Sequence, residues 1–335
     1  MEFVEVQYRS IGKSELSASV IGLGALHFGV FCDEGQTASL VDQAFDLGIN
    51  FIDTAPLYGN GQSEELLGKV LRGRRDKFII STKVGLKQVR TAEGNFGVDV
   101  EKLSADYLRR SVEQSLSRLK TDCIDLLQLH AFDPSTSPQQ VFQALEILRS
   151  AGKIRYYGCS NYSPTELEAA LAAPNCDLVS AQIHYNLIER RAERELIPLC
   201  IQREISVICN RALARGLLSA KYKQNQPLPS ESRAAVSARI RNLLAPDVLN
   251  LISQLESYAA TLHYSPIELA LAWLAGAAQV GIVLVGARSQ AQLAACAAAA
   301  DRTISPSERS AVDGIVKQCG MLPAVMESPP VFFER

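Results

Sequence analysis

LSADYLRRSVEQSLSRLKTDCIDLLQLH, residues 103–130, is the stretch that decides the fold. Its first part puts Leu103, Tyr107, Leu108, Val112, Leu116 and Leu119 on one helical face, with charges opposite. Its last part, CIDLLQLH (123–130), is a short apolar run of the kind that forms a strand covered on both faces. The same pairing recurs along the chain. The other apolar runs are SVIGLGA (19–25), NFIDTA (50–55), KFIISTKV (77–84), IRYYGCSN (154–161), DLVSAQIH (177–184), ISVICNRA (205–212) and GIVLVGA (281–287). Helix-like segments lie between them at 36–47, 63–71, 138–151, 163–173, 192–203, 247–278 (two pieces) and 289–300.

Strand followed by helix, eight times over, requires a parallel sheet, because parallel neighbours need crossover connections. Eight units are the number that closes a (β/α)8 TIM barrel. A doubly wound open sheet is the competing architecture. It would place a glycine-rich fingerprint after the first strand. IGLGALHFG (21–29) has Gly22, Gly24 and Gly29 at other spacings. The chain is therefore read as a single barrel domain spanning 1–335. YRSIGKSELSAS (8–19) reads as an N-terminal β-hairpin around Gly12-Lys13 that plugs the N-terminal mouth. Residues 221–246 read as an irregular loop at the C-terminal face. The C-terminal tail, LPAVMESPPVFFER (322–335), reads as an arm over the barrel or against another subunit.

LALAWLAGAAQVGIVLVGA (269–287) has the length of a membrane span. It divides instead at Gln279. Ser265-Pro266 opens a helix, and GIVLVG is a buried strand. Lys and Arg number 34 against 36 Asp and Glu, for a net charge of −2. That balance gives no basic footprint for nucleic acid and no attraction to an anionic membrane. None of the eight cysteines forms a C-x-x-C pair, so free thiols in a reducing, cytoplasmic setting are expected. The N-terminus shows no signal-peptide pattern. No metal is expected. A weak homo-oligomer stays compatible with the sequence.

Barrel enzymes carry their reactive groups at the C-terminal ends of the strands. Strand two ends in Asp53, with Tyr58 in the loop DTAPLYGNG. Strand three ends in Lys83 and strand four in His130. An ammonium beside a phenol favours the phenolate, and a carboxylate keeps the ammonium charged. The phenol then exchanges a proton with a carbonyl or alcohol oxygen, which His130 steers. A His/Asp/Lys/Tyr mixture is a poor metal ligand set.

FIDTAPLYGNGQSEELLGKVL (51–71), STKV, LLQLH, GKIRYYGCSNY, QIHYN and LARGLLSAKY resemble, in order and spacing, the aldo-keto reductase superfamily over essentially the whole chain. The resemblance implies a (β/α)8 barrel with a nicotinamide dinucleotide laid across its C-terminal face. It implies Tyr58 as proton donor or acceptor, tuned by Lys83 and Asp53, with His130 orienting the carbonyl. Ser160, Asn161 and Gln182 resemble the residues that bind the nicotinamide carboxamide. Gly24, Asp53, Asn210, Arg211, Ala212, Leu213 and Arg215 fall among the cofactor contacts, with the segment from Ala212 to Gly216 around the pyrophosphate. Gly286, Arg288 and Gln292 match the loop at the adenosine phosphate. Arg288 there favours NADP(H), with NAD(H) as the alternative.

The sequence departs from the family at two places. Asn210 stands where relatives carry an aromatic stacked on the nicotinamide. Ala295 and Cys296 stand where relatives carry an acid and an asparagine that read adenine. The substrate, a small carbonyl compound or alcohol, is expected to meet His27, Phe28, Leu57 and Phe132. A sugar (aldose C1) dehydrogenase working oxidatively is the nearest alternative, on the likeness of IVLVGARSQAQL to that branch. Schiff-base chemistry at Lys83 and a non-enzymatic, dinucleotide-binding regulator are two readings of other classes.

Overall fold

Consecutive barrel strands pair in parallel throughout, and the last returns to the first. The computed structural model describes residues 6–90, 96–230, 232–300 and 302–319. An antiparallel hairpin, β1 (Tyr8–Ser10) and β2 (Ser17–Ser19), leads into β3 (Ile21–Gly24), α1 (Glu34–Asp46), β4 (Phe51–Asp53), α2 (Gln62–Val70) and β5 (Ile79–Val84). A second antiparallel hairpin, β6 (Leu86–Arg90) and β7 (Phe96–Val100), separates β5 from α3 (Ala105–Leu119). There follow β8 (Ile124–Leu129), α4 (Pro138–Ser150), β9 (Ile154–Ser160), α5 (Pro164–Leu171), β10 (Leu178–His184), α6 (Leu196–Gln202) and β11 (Ser206–Asn210). The chain ends through α7 (Arg233–Val236), α8 (Ala238–Arg241), α9 (Pro246–Thr261), α10 (Pro266–Ala275), β12 (Val280–Val285), α11 (Gln290–Ala300) and α12 (Pro306–Gln318). The closed order is β3-β4-β5-β8-β9-β10-β11-β12.

Local chemistry sets the helix starts. Ser163-Pro164, Ser265-Pro266 and Ser305-Pro306 each precede a glutamate at the third helical position. In all three the serine hydroxyl accepts the glutamate N–H, and the glutamate carboxylate accepts the serine N–H. Proline at the first helical position forgoes a donor that would have no partner there. The membrane-length apolar segment divides as its sequence suggests, into α10 and β12. No helix among the described residues is long and apolar enough to cross a membrane.

Side chains two residues apart on a strand share a face, so each strand carries a graded series. At the N-terminal end Phe51, Ile79, Leu126, Val179, Ile208, Ile282 and Leu284 form an apolar cluster with Ile11, Leu16 and Ala18 of the hairpin region. The β1–β2 hairpin therefore closes that mouth, as expected. Gly22 belongs to the same layer: a Cβ there would lie 2.9 Å from side-chain atoms of both Leu284 and Phe51. Two residues further along, the chemistry changes to Asp53, Ser81, Gln128 and Asn210.

The insertion after β11 is more ordered than read, since α7 and α8 each make one turn. The β6–β7 hairpin and α12 were not anticipated. The tail 322–335 lies outside the described residues. All eight cysteines are free, as expected.

Candidate active site

Register brings the four rim residues of the sequence reading together. Asp53 pairs with Ser81 across β4 and β5, and Lys83 pairs with Gln128 across β5 and β8. Lys83 Nζ lies 2.5 Å from Asp53 Oδ2, 2.9 Å from the Thr54 carbonyl and 3.2 Å from the Tyr58 hydroxyl. The lysine and aspartate side chains are 0% and 3% exposed. Asp53 Oδ1 accepts from Ser81 Oγ at 3.1 Å, Gln128 Nε2 at 3.1 Å and Gln182 Nε2 at 2.9 Å. A buried carboxylate is tolerable when its lone pairs are filled in this way.

Tyr58 reaches the site from a tight loop. After it Gly59, Asn60 and Gly61 all have left-handed backbone, with φ of 58°, 55° and 92°. Two glycines and an asparagine adopt that conformation at least cost, which explains YGNG before α2. The loop is held by Thr54 Oγ1 against Ser63 Oγ at 2.8 Å and by Ser63 Oγ donating to the Ala25 carbonyl at 2.9 Å. The His130 ring stands edge-on to Tyr58, with centroids 6.3 Å apart.

Burial pushes the Tyr58 phenol above its ordinary range, although the Lys83 ammonium and its hydrogen bond pull it down. This corrects the expectation of a phenol made more acidic than usual: loss of solvation for the phenolate outweighs the cation. Burial works to lower the Lys83 pKa, yet the Asp53 carboxylate and Tyr58 hold it above the usual lysine range. His130 is driven well below the usual histidine range by burial, then by the charge of Lys83. The site at neutral pH is a charged lysine, a protonated phenol and a neutral imidazole.

On the β9 and β10 side, Asn161 has left-handed backbone at φ 60°. Its Nδ2 donates to the His130 carbonyl at 2.9 Å and to Ser160 Oγ at 3.0 Å. Asn210 at the end of β11 donates from Nδ2 to Gln182 Oε1 at 3.1 Å, and its Oδ1 meets His184 Nδ1. Beyond it, Arg211, Ala214, Arg215 and Gly216 are all left-handed. The N–H groups of Ala214 and Gly216 are committed to the carbonyls of Arg211 and Leu213. Ala212 is buried and Leu213 packs against the core.

Across the mouth, Gly24 pairs with Asp53 in register. A Cβ at Gly286 would lie 3.3 Å from His27 Nε2, and the His27 ring meets Phe31 edge-on at 5.6 Å. The Arg288 guanidinium sits 5.7 Å over Phe31, and the Arg288 N–H donates to Gln292 Oε1 at 2.9 Å. His27 thus stands on the Arg288 side of the mouth. Cys296 is buried in the core, and Ala295 is exposed.

The substrate wall needs one correction. Phe28 is fully buried among core residues, so its ring offers no surface to a cleft. Leu57 packs with Ala55 and Tyr58, joined by Leu26, Leu86 and Val98. The last two belong to the unanticipated hairpin. Phe132 is held edge-on by Tyr162 at 5.3 Å. Sequence reasoning also passed over Ser81, Gln128 and His184. The signal was available: Ser81 lies two before Lys83, Gln128 two before His130, and His184 two after Gln182.

A sequence profile of the Aldo/keto reductase family matches residues 20–317. Aldo-keto reductase YhdN of Bacillus subtilis is 32% identical over 93% of this chain and 94% of its own. Aldo-keto reductase yakc [NADP(+)] of Schizosaccharomyces pombe is 30% identical over 81% of this chain and 80% of its own. The solved glycerol dehydrogenase AKR11B4 of Gluconobacter oxydans superposes with a TM-score of 0.80 at 28% identity, covering 100% of both chains. With the closed barrel already described, these likenesses settle the assignment: the chain belongs to the aldo/keto reductase family and is one of its oxidoreductases.

Proposed function

We propose that the protein interconverts a small aldehyde, ketone or sugar carbonyl and its alcohol with NADP(H), Tyr58 passing the proton. The observation that carries this reading is Lys83 Nζ within hydrogen-bond reach of both Asp53 Oδ2 and the Tyr58 hydroxyl, buried at the C-terminal ends of adjoining strands. The dinucleotide supplies or takes the hydride when bound. Tyr58 holds the proton at its hydroxyl, Lys83 offsets the charge that develops there, and Asp53 keeps Lys83 charged. His130, neutral and edge-on to Tyr58, hydrogen-bonds the substrate oxygen. Leu26, Leu57, Leu86 and Val98, packed about Tyr58, exclude water beside it.

The free valences near Tyr58 fit a primary amide. Ser160 Oγ accepts from Asn161, so its own O–H is left to donate to an amide carbonyl. Both Asn161 Nδ2 hydrogens are used, so its Oδ1 is left to accept from an amide N–H. Gln182 Oε1 takes one bond from Asn210 and retains a second lone pair. One donor and two acceptors complement the carboxamide of nicotinamide. Arg288, backed by Phe31, suits a 2′-phosphate, which supports NADP(H) over NAD(H).

A protonated Tyr58 is the form that donates to a carbonyl oxygen, which supports reading the reductive step first, with the oxidative, aldose-dehydrogenase direction as the alternative. The Asp53 contact keeps Lys83 charged, which disfavours Schiff-base chemistry. A panel of aldehydes, ketones and sugars with each dinucleotide, followed by nicotinamide absorbance, tests the reading. The expected result is turnover of a carbonyl compound with NADPH. No turnover with any pair, or a borohydride-trapped lysine adduct, would overturn it.

A further inference from the structure

Gln182 and Asn210 belong to one line of side chains that runs from the end of β11 to the carboxylate of Asp53. Gln182 and His184 lie two apart on β10 and so share a face. Asn210 on β11 pairs with His184 in register and lies diagonal to Gln182. One asparagine at that position reaches both. Asn210 Oδ1 meets His184 Nδ1, Asn210 Nδ2 lies 3.1 Å from Gln182 Oε1, and Gln182 Nε2 lies 2.9 Å from Asp53 Oδ1.

The polarity of this line is set from the carboxylate outward. Asp53 only accepts, so Gln182 must turn its amide nitrogen toward it. Gln182 Oε1 then faces β11 and requires a donor, which fixes Asn210 with Nδ2 toward Gln182. Asn210 Oδ1 is left facing His184, whose Nδ1 must carry the hydrogen. Each link donates toward Asp53. No aromatic side chain at position 210 carries the carbonyl oxygen and amide N–H pair that Asn210 turns to His184 and Gln182, so the departure from the family at this position and the relay are one feature.

We propose that Asn210, anchored by His184, is a positioning residue that acts on Asp53 through Gln182 and so on the Lys83–Tyr58 pair. The proposal rests on the carbonyl–alcohol reading above. Asn210 in this role does not replace the lost stacking surface. It locks the amide whose other end holds the aspartate.

The experiment combines kinetics at saturating dinucleotide with histidine NMR on the full chain. In Asn210→Asp the atom facing Gln182 Oε1 can no longer donate. Relief by turning Gln182 would set its carbonyl against Asp53. We expect kcat to fall about 10- to 100-fold, the scale of a hydrogen bond to a charged group, with the carbonyl KM within about twofold of wild type. Asn210→Ala, which removes the link without a repulsion, should lose about 5-fold in kcat. In a double-mutant cycle with Gln182→Ala, the alanine at 210 should have no further effect. Imidazole nitrogen shifts should show His184 with its hydrogen on Nδ1 at neutral pH.

Wild-type kcat in both Asn210 variants, losses that add in the cycle, or His184 with its hydrogen on Nε2 would overturn the relay. Weaker dinucleotide binding with unchanged kcat would make Asn210 a cofactor contact only and would also overturn it. Should Asn210→Asp not fold, the alanine cycle and the wild-type spectrum still decide. Wild-type enzyme that turns over no carbonyl in the panel sinks the underlying reading and the proposal with it, whereas active wild type with indifferent variants sinks the relay alone.

Discussion

Lys83 touches Tyr58 in two ways: its Nζ is 3.2 Å from the phenol oxygen and 4.9 Å from the ring centroid. The ammonium is therefore placed by the ring face as well as by the hydroxyl. Asp53 and the Thr54 carbonyl fill its remaining donor directions. A lysine so enclosed holds one orientation, and under the proposed function a charge developing on the phenol oxygen would meet a counter-charge already in place.

Removing that lysine should cost stability as well as turnover. Lys83→Met leaves Asp53 buried without its counter-charge, which costs about 3–5 kcal/mol in comparable settings. Chemical denaturation should show this loss. Lys83→Met combined with Asp53→Asn should recover part of it, because the orphaned charge is gone. A single variant as stable as wild type would show that the pair carries no such burden.

The pH profile follows from the phenol. Its pKa is raised, so the hydroxyl keeps its proton across neutral pH. Reduction should be flat through that range and fall only at strongly alkaline pH, above the usual tyrosine value of about 10. Oxidation needs the proton site empty and should rise as pH rises. Initial rates in both directions over a pH series check this.

Acid stability should depend on Asp133 in the loop after β8. It accepts from the Leu103 N–H at 2.8 Å, from the Ser135 N–H at 2.8 Å, and from the Ser135 and Thr136 hydroxyls at 2.6 Å each. Burial pushes its carboxyl up, but the bonds from Ser135, Thr136 and Leu103 bring it down to about 2. The folded value lies below the unfolded value of about 3.9. Its contribution is therefore complete above about pH 4 and is lost as pH falls toward 2. Asp133→Asn should flatten the stability profile over that window, as read by denaturant midpoints.

Arg288 should decide between dinucleotides. Arg288→Ala should raise the KM for NADPH about tenfold or more, the scale of a charge-assisted contact, and leave that for NADH within about twofold. Steady-state kinetics with both cofactors measures the split.

The barrel was legible because eight short apolar runs stand out against amphipathic helices. Strand ends were less so, since apolar residues continue past the point where the backbone turns. The run 205–212 ends as a strand at Asn210 because Arg211 is left-handed. The run 281–287 stops at Val285, and 50–55 stops at Asp53. The β6–β7 hairpin escaped notice because LKQVR and FGVDV pair antiparallel inside a strand-to-helix connection, outside the alternation that marks the barrel strands.

At the site, residue types at strand ends picked out Asp53, Tyr58, Lys83 and His130. The second duty of Gln182 was not legible. It depends on register across strands that bring Asp53 within 2.9 Å of a residue 129 positions away. Net burial at Tyr58 was equally hidden, because it is a sum over neighbours from several loops, and it reversed the direction of the expected pKa shift.

The central claim is that the Tyr58 hydroxyl carries the proton. Tyr58→Phe removes one oxygen and leaves the ring, the Lys83–Asp53 pair, Ser160, Asn161 and Gln182 in place. Carbonyl reduction followed by nicotinamide absorbance should fall about 100- to 10,000-fold, while dinucleotide binding read by fluorescence titration is unchanged. Turnover at the wild-type rate in that variant would contradict the account.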